Sequence, residues 1–469
     1  EIEYLTRHGY CVVVVDARGT GASNGSRQME FSDEEAQDGY EIVEWITQQV
    51  WSNGEVAING VSYVGTIGLL TAAKAHPAVK AVVARSAIFD LYEDVAFPGG
   101  IHQEKFVNDW AEATVQLDQN NLGVFGKRAK RLVKSVKPVS GGHSELQEAI
   151  EQHSDNASLG DFVTEITCKD DTIEALHGTI DYYSVHGHIP SLEAAGTPSL
   201  IISGWYDAAM THSALKLYEA LKPHAWLLMG DWNHGRRQNM NPHIPTNVSE
   251  FPEYDYIRHF LDMFLKPSAV KVGVPKVQYY AVGDERWQTA VDWPLPNMQY
   301  NTFCLAENAR LAPTAKGIAT GQDTYKVDVK MGSGDTSRWD IAFGPQDTRP
   351  RGYKDRAPLC HKLMCYDTAE LEEPLQITGQ PYLDLHLSID AQDGPLFAYL
   401  EDVCPDGSVT YITEGMFRLA HRHETGECID GQLPEHTYSS TDLKPLTPGE
   451  VTRIRMNLLP ISYKLQPGH

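Results

Sequence analysis

Three residues of this chain have the types and the order that nucleophilic catalysis requires. Ser62 lies between an apolar β-branched stretch and an alanine- and leucine-rich stretch, and Gly60 and Gly65 flank it. Small residues around a serine at such a junction allow a sharp strand-to-helix turn that exposes the hydroxyl at the carboxyl edge of a sheet. Asp207 and His234 come later in the chain. The order Ser, Asp, His is the order in which a doubly wound sheet presents a serine nucleophile and its partners.

The serine motif is weak evidence when it is taken alone. It reads G-x-S-x-x-G, because Val64 stands where the general nucleophile-elbow pattern has glycine. A serine between a strand and a helix can also serve only as the helix cap. The later residues therefore decide how much weight the motif deserves.

The positions of the acid and the base favour catalysis. Asp207 closely follows the strand-like segment 199–203, and His234 closely follows the strand-like segment 225–229. Parallel sheets carry their functional groups at the carboxyl ends of strands, so we expect these two side chains to lie at one edge with Ser62.

Competing motifs are less suitable. Asp16 precedes Ser62 and so has the wrong order, and Asp231 is predicted to brace the loop that carries His234. The segment 18–25 resembles a dinucleotide-binding loop, but its spacing is G-x-G-x-x-x-G and no helix begins directly after it. We therefore do not expect a dinucleotide cofactor.

The elements that must position these residues alternate between two periodicities. The strand-like segments are 10–16, 55–59, 80–86, 199–203 and 225–229. The helix-like segments are 32–50, 63–75, 212–221 and 257–266. A capping box, Ser32 with Glu35, marks the start of the first helix. This alternation predicts an α/β fold with a doubly wound parallel sheet.

Two regions break the alternation. Residues 91–192 are mostly helical, including 103–117 and 145–153, and are predicted to be an insertion. After residue 270 short alternating strands predict a β-sandwich or jelly-roll domain. These strands are 276–282, 324–329, 381–389 and 408–420. The predicted domains are a catalytic domain at 1–90 and 193–270, the insertion at 91–192, and the β domain at 271–469.

The composition is that of an ordinary globular protein and excludes some partners. The chain has 469 residues, 42% of them hydrophobic, and its 63 acidic and 39 basic residues give a formal charge of -24. This charge disfavours binding to nucleic acid and to anionic membrane surfaces. No apolar run approaches the roughly 18 residues of a membrane helix.

The cysteines favour neither a disulfide framework nor a metal site. There are seven of them, scattered along the chain, and this usage favours free thiols in a reducing compartment such as the cytoplasm. Cys360, His361 and Cys365 lack the second pair of ligands that a zinc site needs. We expect neither a metal nor an organic cofactor.

Several phrases of the sequence resemble one family of enzymes. They are "VVVVDARGTGASNG", "INGVSYVG", "ISGWYDA", "MGDWNHG" and "LEDVCPDGSVTYITEGMFRLAHR". Together they closely resemble the cocaine esterase and X-Pro dipeptidyl-peptidase-type acyl hydrolases (CocE/NonD-like), over almost the whole chain outside the insertion. The nucleophile-elbow motif of this family is G-x-S-Y-x-G, which accounts for the position of Gly65. The resemblance implies an α/β-hydrolase fold with a helical cap at 91–192 and a C-terminal jelly roll.

The resemblance also implies a role for each site residue. Ser62 would be the nucleophile, Asp207 the acid, His234 the base, and the backbone N–H of Tyr63 one oxyanion donor. The family's second oxyanion donor is a tyrosine hydroxyl upstream of segment 10–16, which this sequence lacks. We therefore expect that N-terminal strands are missing and that the β domain is truncated at its C-terminal end.

The implied reaction is cleavage of an ester or amide acyl bond through an acyl-enzyme, so the expected partner is a small-molecule substrate. An acyl esterase is the first interpretation, an X-Pro dipeptidyl-peptidase-type peptidase or amide acylase the second, and a catalytically silent protein that binds through its β domain the third. Related amino-acid ester hydrolases carry acidic residues directly after the catalytic aspartate, whereas residues 208–210 are Ala-Ala-Met here. This difference argues against recognition of a substrate ammonium group by this loop. Asp90 and Asp94, near the start of the predicted cap, are the alternative carboxylates for an ammonium group, but solvated surface acids are the favoured interpretation of both. The oligomeric state, monomer or homo-oligomer, stays open.

Overall fold

A six-stranded sheet forms the centre of the structure, which is a computed structural model. It describes residues 1–125, 134–139, 142–236, 239–244, 251–266, 272–332, 338–339, 353–426 and 433–469. The predicted boundary between residues 270 and 271 lies outside these ranges, as does Cys428. Among the described residues, none of the helices combines the length and apolar character that a bilayer-spanning segment requires.

The sheet is parallel except at one edge. Its strands are β1 (Val56–Val61), β2 (Val79–Arg85), β5 (Ser199–Gly204), β6 (Ala225–Gly230), β7 (Val277–Ala281) and β8 (Arg286–Ala290), in that spatial order. Only the β7–β8 pair is antiparallel. β3 (Thr172–Ile173) and β4 (Gly178–Thr179) form a separate hairpin within the predicted insertion. The doubly wound parallel sheet is thus confirmed in its central strands.

Helices cover both faces of the sheet. The α-helices of the described residues are α1 (Ile2–Arg7), α2 (Asp33–Thr47), α3 (Tyr63–Ala73), α4 (Glu104–Asp118), α5 (His143–Gln152), α6 (Leu159–Phe162), α7 (Ile189–Ala195), α8 (Met210–Ala220) and α9 (Glu253–Leu265); α4, α5 and α6 lie in the predicted insertion and not on the sheet. Alternate residues of β2 face opposite cores: Val82 belongs to the same core as Leu69 of α3, and Val83 to the same core as Phe260 of α9. This two-sided burial explains why the central strands read as continuous apolar runs.

The first predicted helix begins with half of a capping box. The Ser32 hydroxyl accepts a hydrogen bond from the Glu35 N–H at 3.3 Å, and the first turn is acidic, which suits the positive end of the helix dipole. The Glu35 carboxylate lies against the N–H of Phe31, one residue before the cap, and does not close the box on the Ser32 N–H. It accepts a hydrogen bond from the Tyr63 hydroxyl instead, because α3 packs against α2 at this point.

The predicted insertion contains two helices near the expected positions, α4 and α5. α4 is attached to the loop before α2 by an ion pair between Arg27 and Asp118, with 2.9 Å between Nη2 and Oδ2 and with both side chains less than a tenth exposed. A buried, two-pronged pair of this kind fixes the orientation of the helix. The predicted insertion is therefore packed against the N-terminal part of the chain.

The C-terminal region pairs its strands antiparallel. The pairs are β9 (Cys304–Ala306) with β10 (Arg310–Ala312), β11 (Leu375–Gly379) with β16 (Ile461–Leu465), β12 (Tyr382–Leu387) with β15 (Thr452–Asn457), and β13 (Pro395–Val403) with β14 (Val409–Arg418). One prediction here is wrong, because segment 324–329 forms no strand and its Val327 and Val329 are exposed. Segment 276–282, predicted as part of the β domain, instead supplies β7, which pairs with β6 of the central sheet.

The prediction of a strand at 10–16 is also wrong. This segment pairs with no strand, and Val14 and Val15 are exposed. β1 is the edge strand of the sheet among the described residues, and segment 10–16 does not pair with its free side, so the backbone groups of this segment have no ladder of hydrogen bonds. An apolar run alone does not make a strand when its backbone groups have no partner.

Candidate active site

Ser62 occupies a strained turn between β1 and α3. Its backbone lies at φ 57° and ψ −120°, a region that residues other than glycine rarely adopt and that costs about 1–3 kcal/mol. A Cβ on Gly60 would lie 2.4 Å from the carbonyl carbon of Val64, and a Cβ on Gly65 would lie 3.0 Å from the Gly60 oxygen. Gly60 therefore has no room for a side chain, and a side chain at Gly65 would require the surrounding backbone to shift. Strain of this kind is common where a nucleophile is presented.

Asp207 and His234 meet at the carboxyl ends of β5 and β6. The His234 Nδ1 lies 2.7 Å from the Asp207 Oδ1, and the aspartate side chain is fully buried. A carboxylate accepts hydrogen bonds, so Nδ1 carries the proton and Nε2 presents its lone pair. This tautomer is the one that can take a proton from a hydroxyl.

The second oxygen of Asp207 binds two hydroxyl groups that the sequence reasoning did not single out. Ser86 Oγ donates to Oδ2 at 2.5 Å, and Ser203 Oγ donates to the same atom at 3.1 Å. A signal for both was present, because each serine is the last residue of a predicted strand segment, 80–86 or 199–203, at the edge that carries Asp207.

Neighbouring strands bring the loop of His234 next to the serine turn. The Ser62 N–H donates to the Arg85 carbonyl at 2.7 Å, which ties the turn to the end of β2. A Cβ on Gly235 would lie 3.3 Å from Cγ1 of Val61, the residue before Ser62. The turn and the loop are therefore in contact across the edge of the sheet.

Tyr63 offers its backbone and its side chain to different partners. Its N–H is at the first position of α3, where backbone donors have no partner within the helix and the dipole is positive. Its hydroxyl donates to Glu35 Oε2 at 2.7 Å, and burial raises the pKa of Glu35 to about 7. Its ring stacks on Trp110 of α4 with 6.2 Å between centroids, which links the serine turn to the insertion.

The sequence matches two family profiles that together span most of the chain. Residues 2–236 match the X-Pro dipeptidyl-peptidase (S15 family), and residues 271–469 match the X-Pro dipeptidyl-peptidase C-terminal non-catalytic domain. The chain belongs to the S15 family. It is a serine hydrolase with an α/β-hydrolase fold and a C-terminal non-catalytic domain.

Relatives of this S15 family member include esterases. A candidate serine esterase of Mycobacterium bovis is 35% identical, over 98% of this chain and 77% of its own length. The cocaine esterase of a Rhodococcus species is 26% identical, over 99% of this chain and 80% of its own. The crystal structure of an aminopeptidase from a marine sediment Thaumarchaeota archaeon covers 100% of this chain and 78% of its own at a TM-score of 0.75 and 21% identity, which shows a shared fold.

Neither Asp16 nor Asp231 is the hydrogen-bond partner of His234 Nδ1, which bonds to Asp207. Asp16 Oδ2 accepts a hydrogen bond from the Ala22 N–H at 3.1 Å and so closes the glycine-rich loop. Asp231 is buried, and burial raises its pKa to about 6. The imidazole of His234 bonds to Asp207 and not to Asp231, although Asp231 is much closer in sequence.

Asp90 and Asp94 are not the solvated surface acids that the sequence predicts. They are 2% and 1% exposed, because the segment at the start of the insertion folds under α8. Lys169 Nζ forms ion pairs with Asp90 and with Asp181, at 3.3 Å for the latter, and so occupies the position that a metal ion would need between these acids.

A cavity of about 60 Å³ lies beside the loop that follows Asp207. Ala209 and His212 line it at the start of α8, Glu93 from the predicted insertion, and Met416 and Phe417 from β14. Three separated parts of the chain thus shape this space, which explains why its lining cannot be read from any one motif. Burial acts to raise the pKa of the Glu93 carboxyl, but Lys216, paired with it at 2.8 Å, outweighs burial, and the pKa is lowered to about 2.

The cysteine cluster at 360–365 is held by local contacts. Cys365 Sγ lies 3.6 Å from the Cys360 carbonyl oxygen, and burial raises the pKa of Cys365 to about 12. All six cysteines of the described ranges are free thiols.

Proposed function

We propose that this serine hydrolase cleaves an ester bond of a small acyl substrate in two steps. Ser62 is the nucleophile, His234 the general base and then general acid, and Asp207 the residue that orients the imidazole. The backbone N–H of Tyr63 donates to the oxyanion. The observation that carries the proposal is the 2.7 Å hydrogen bond between His234 Nδ1 and a buried Asp207, at the sheet edge that bears Ser62.

The steps follow from the protonation state of the imidazole. Ser62 Oγ attacks the acyl carbon while its proton passes to His234 Nε2, and the carbonyl electrons move onto the oxygen. The tetrahedral intermediate collapses, the leaving alcohol takes the proton from the imidazolium, and an ester of Ser62 remains. Water then attacks this ester with the same base, and the acid and the free serine are released. The N–H of Tyr63 stabilises the oxyanion in both steps.

Ester cleavage is proposed ahead of peptide cleavage because the two relatives named above as esterases span nearly all of this chain. An X-Pro dipeptidyl-peptidase or amide acylase would use the same machinery on an amide. We also propose that residues 91–192 cap the substrate and that residues 271–469, predicted as a jelly roll, close one wall. The stack of Tyr63 on Trp110 supports the cap, and the approach of β14 to Ala209 supports the wall.

Labelling with a fluorophosphonate tests the proposal. We expect one adduct, located on Ser62 by peptide mass spectrometry, and its loss in His234→Ala. Folding of each variant is checked by circular dichroism. A folded wild-type protein that takes no label would contradict the catalytic interpretation and favour a binding protein. Hydrolysis rates on p-nitrophenyl esters against X-Pro anilides then decide between esterase and peptidase.

A further inference from the structure

We propose that Ser86 is a positioning residue that couples the acid to the base of the catalytic site. The proposal rests on the function proposed for Asp207 and His234 and adds a fourth side chain to them. Ser86 comes from the end of β2, whereas Asp207 follows β5 and His234 follows β6. One hydroxyl on a third strand contacts the segments that carry both other residues.

The direction of each hydrogen bond follows from the single proton of the hydroxyl. The Gly235 N–H donates to Ser86 Oγ at 3.2 Å and so uses one of its lone pairs. The proton of Ser86 Oγ is then directed to Asp207 Oδ2, at 2.5 Å. Ser86 therefore donates to the acid while it accepts from the peptide group next to His234. Movement of either loop strains or breaks one of these bonds.

Ser203 makes a useful contrast, because its hydroxyl reaches the same carboxylate oxygen without reaching the base. Its Oγ lies 3.1 Å from Asp207 Oδ2 and 3.3 Å from the carbonyl of Met210, so its one proton is divided between two acceptors of the same turn. Ser203 belongs to the strand that leads into Asp207. It holds the acid locally, whereas Ser86 connects two separate loops.

The backbone of Ser86 is held where the hydroxyl is needed. Its N–H donates to the Ile202 carbonyl at 2.7 Å, and its φ is +47°, a conformation that costs free energy for any residue except glycine. The side chain is 4% exposed, and the adjoining cavity of about 10 Å³ has room for no more than about one water molecule, so bulk solvent has little access to these bonds. Strain kept at a buried polar residue is consistent with a functional constraint.

The test compares Ser86→Ala and Ser86→Gly with Ser203→Ala. Glycine adopts φ +47° without strain, so Ser86→Gly removes the hydroxyl even if Ser86→Ala folds poorly. The rate of fluorophosphonate labelling at Ser62 is measured as a function of pH for each folded variant. We expect both Ser86 variants to label about 10- to 100-fold more slowly, as for the loss of one hydrogen bond to a charged group, and Ser203→Ala about threefold or less.

The pH dependence separates positioning from a general structural defect. Without the Ser86 hydroxyl the carboxylate holds the imidazolium more tightly, so we expect the midpoint of the labelling rate to move up by about half a pH unit. A loss below threefold in folded Ser86→Gly, or a loss equal to that of Ser203→Ala with an unmoved midpoint, would overturn the proposal. Failure of the wild-type protein to label would instead overturn the proposed function, so the two failures are distinguishable.

Discussion

Two aspartates of this hydrolase are equally buried and are satisfied in different ways. In Asp207, which is 0% exposed, both oxygens accept hydrogen bonds, one from His234 and the other from two serine hydroxyls. In Asp94, which is 1% exposed, Oδ2 accepts from the Asp90 N–H and from Ser213, while Oδ1 has no hydrogen-bond partner among the described residues. The donors around a buried acid, and not its burial alone, decide which form of the acid the fold favours.

The electrostatic consequence is visible at Asp94. Burial raises its pKa to about 7, although Lys216 acts in the opposite direction. The nearest imidazole nitrogen, Nδ1 of His212, is 3.9 Å from Oδ1, and burial lowers the pKa of His212 to about 3. A neutral His212 cannot compensate a charged Asp94. Asp207, in contrast, lies against an imidazole that donates to it directly.

The largest expected effect is the loss of the Ser62 hydroxyl, and the loss of the Ser213 hydroxyl beside Asp94 is its control. Ser62→Ala should lower kcat on p-nitrophenyl acetate by about 10⁶-fold, because no other group supplies the nucleophile. Ser213→Ala removes the hydroxyl that bonds Asp94 and should stay within about threefold of wild type, since Asp94 has no part in the reaction. Retention of more than about one per cent activity by folded Ser62→Ala would contradict the assignment.

The next largest effect on kcat is expected from replacing the carboxylate of Asp207 by an amide, with Asp94 as the comparison. Asp207→Asn should lower kcat by about 10⁴-fold, because an amide N–H facing Nδ1 forces the imidazole into the wrong tautomer. Asp94→Asn is the matched control, with equal burial, and should keep wild-type kcat within about threefold. Steady-state kinetics on the same ester measure both. Similar losses in the two variants would remove the distinction between these sites.

The stability of Asp94→Asn should depend on pH in a defined direction. Because the pKa of Asp94 is raised from 3.8 to about 7, the unfolded chain loses the proton first and wild-type stability falls as pH rises between these values. The amide of the variant has no proton to lose in this range. The free energy of unfolding of the variant relative to wild type should therefore rise by about 4 kcal/mol over this interval and then stay constant. Urea unfolding of both proteins from pH 4 to 8 measures the difference. A constant difference would show that Asp94 is ionised in the fold.

Glu35 extends the comparison with a smaller effect. Its pKa is raised from 4.5 to about 7 by burial, opposed by the hydrogen bond from the Tyr63 hydroxyl. The unfolded chain again loses the proton first, so the free energy of unfolding of wild type falls as pH rises between these two pKa values. Relative to wild type, the free energy of unfolding of Glu35→Gln should therefore rise by about 3 kcal/mol over this interval. Thermal unfolding across this range checks it, with Glu34→Gln on the same helix turn as the control. An equal response in both variants would assign the effect to helix charge.

The sequence prediction succeeded where local patterns carry the information. The alternation of strand-like and helix-like segments predicted the central parallel strands, and the family resemblance agreed with the S15 profile. The apolar runs of segments 199–203 and 10–16 both predict a buried strand, yet only the first segment forms one. The difference is the presence of neighbours: β5 lies between β2 and β6, whereas segment 10–16 has no paired strand beside it.

What the sequence determined by itself is the list of chemical groups and their order: a serine in a glycine-lined turn, then an aspartate and a histidine behind later strands. Tertiary structure alone decided which groups touch. In the folded chain His234 bonds to Asp207 and not to Asp231, although Asp231 is closer in sequence. Ser86 contacts Asp207, which is 121 residues away in sequence, and Asp94 is buried. The physical reason is that side-chain periodicity is a local property of the chain. Hydrogen-bond partners and burial depend on how distant strand ends and loops pack together.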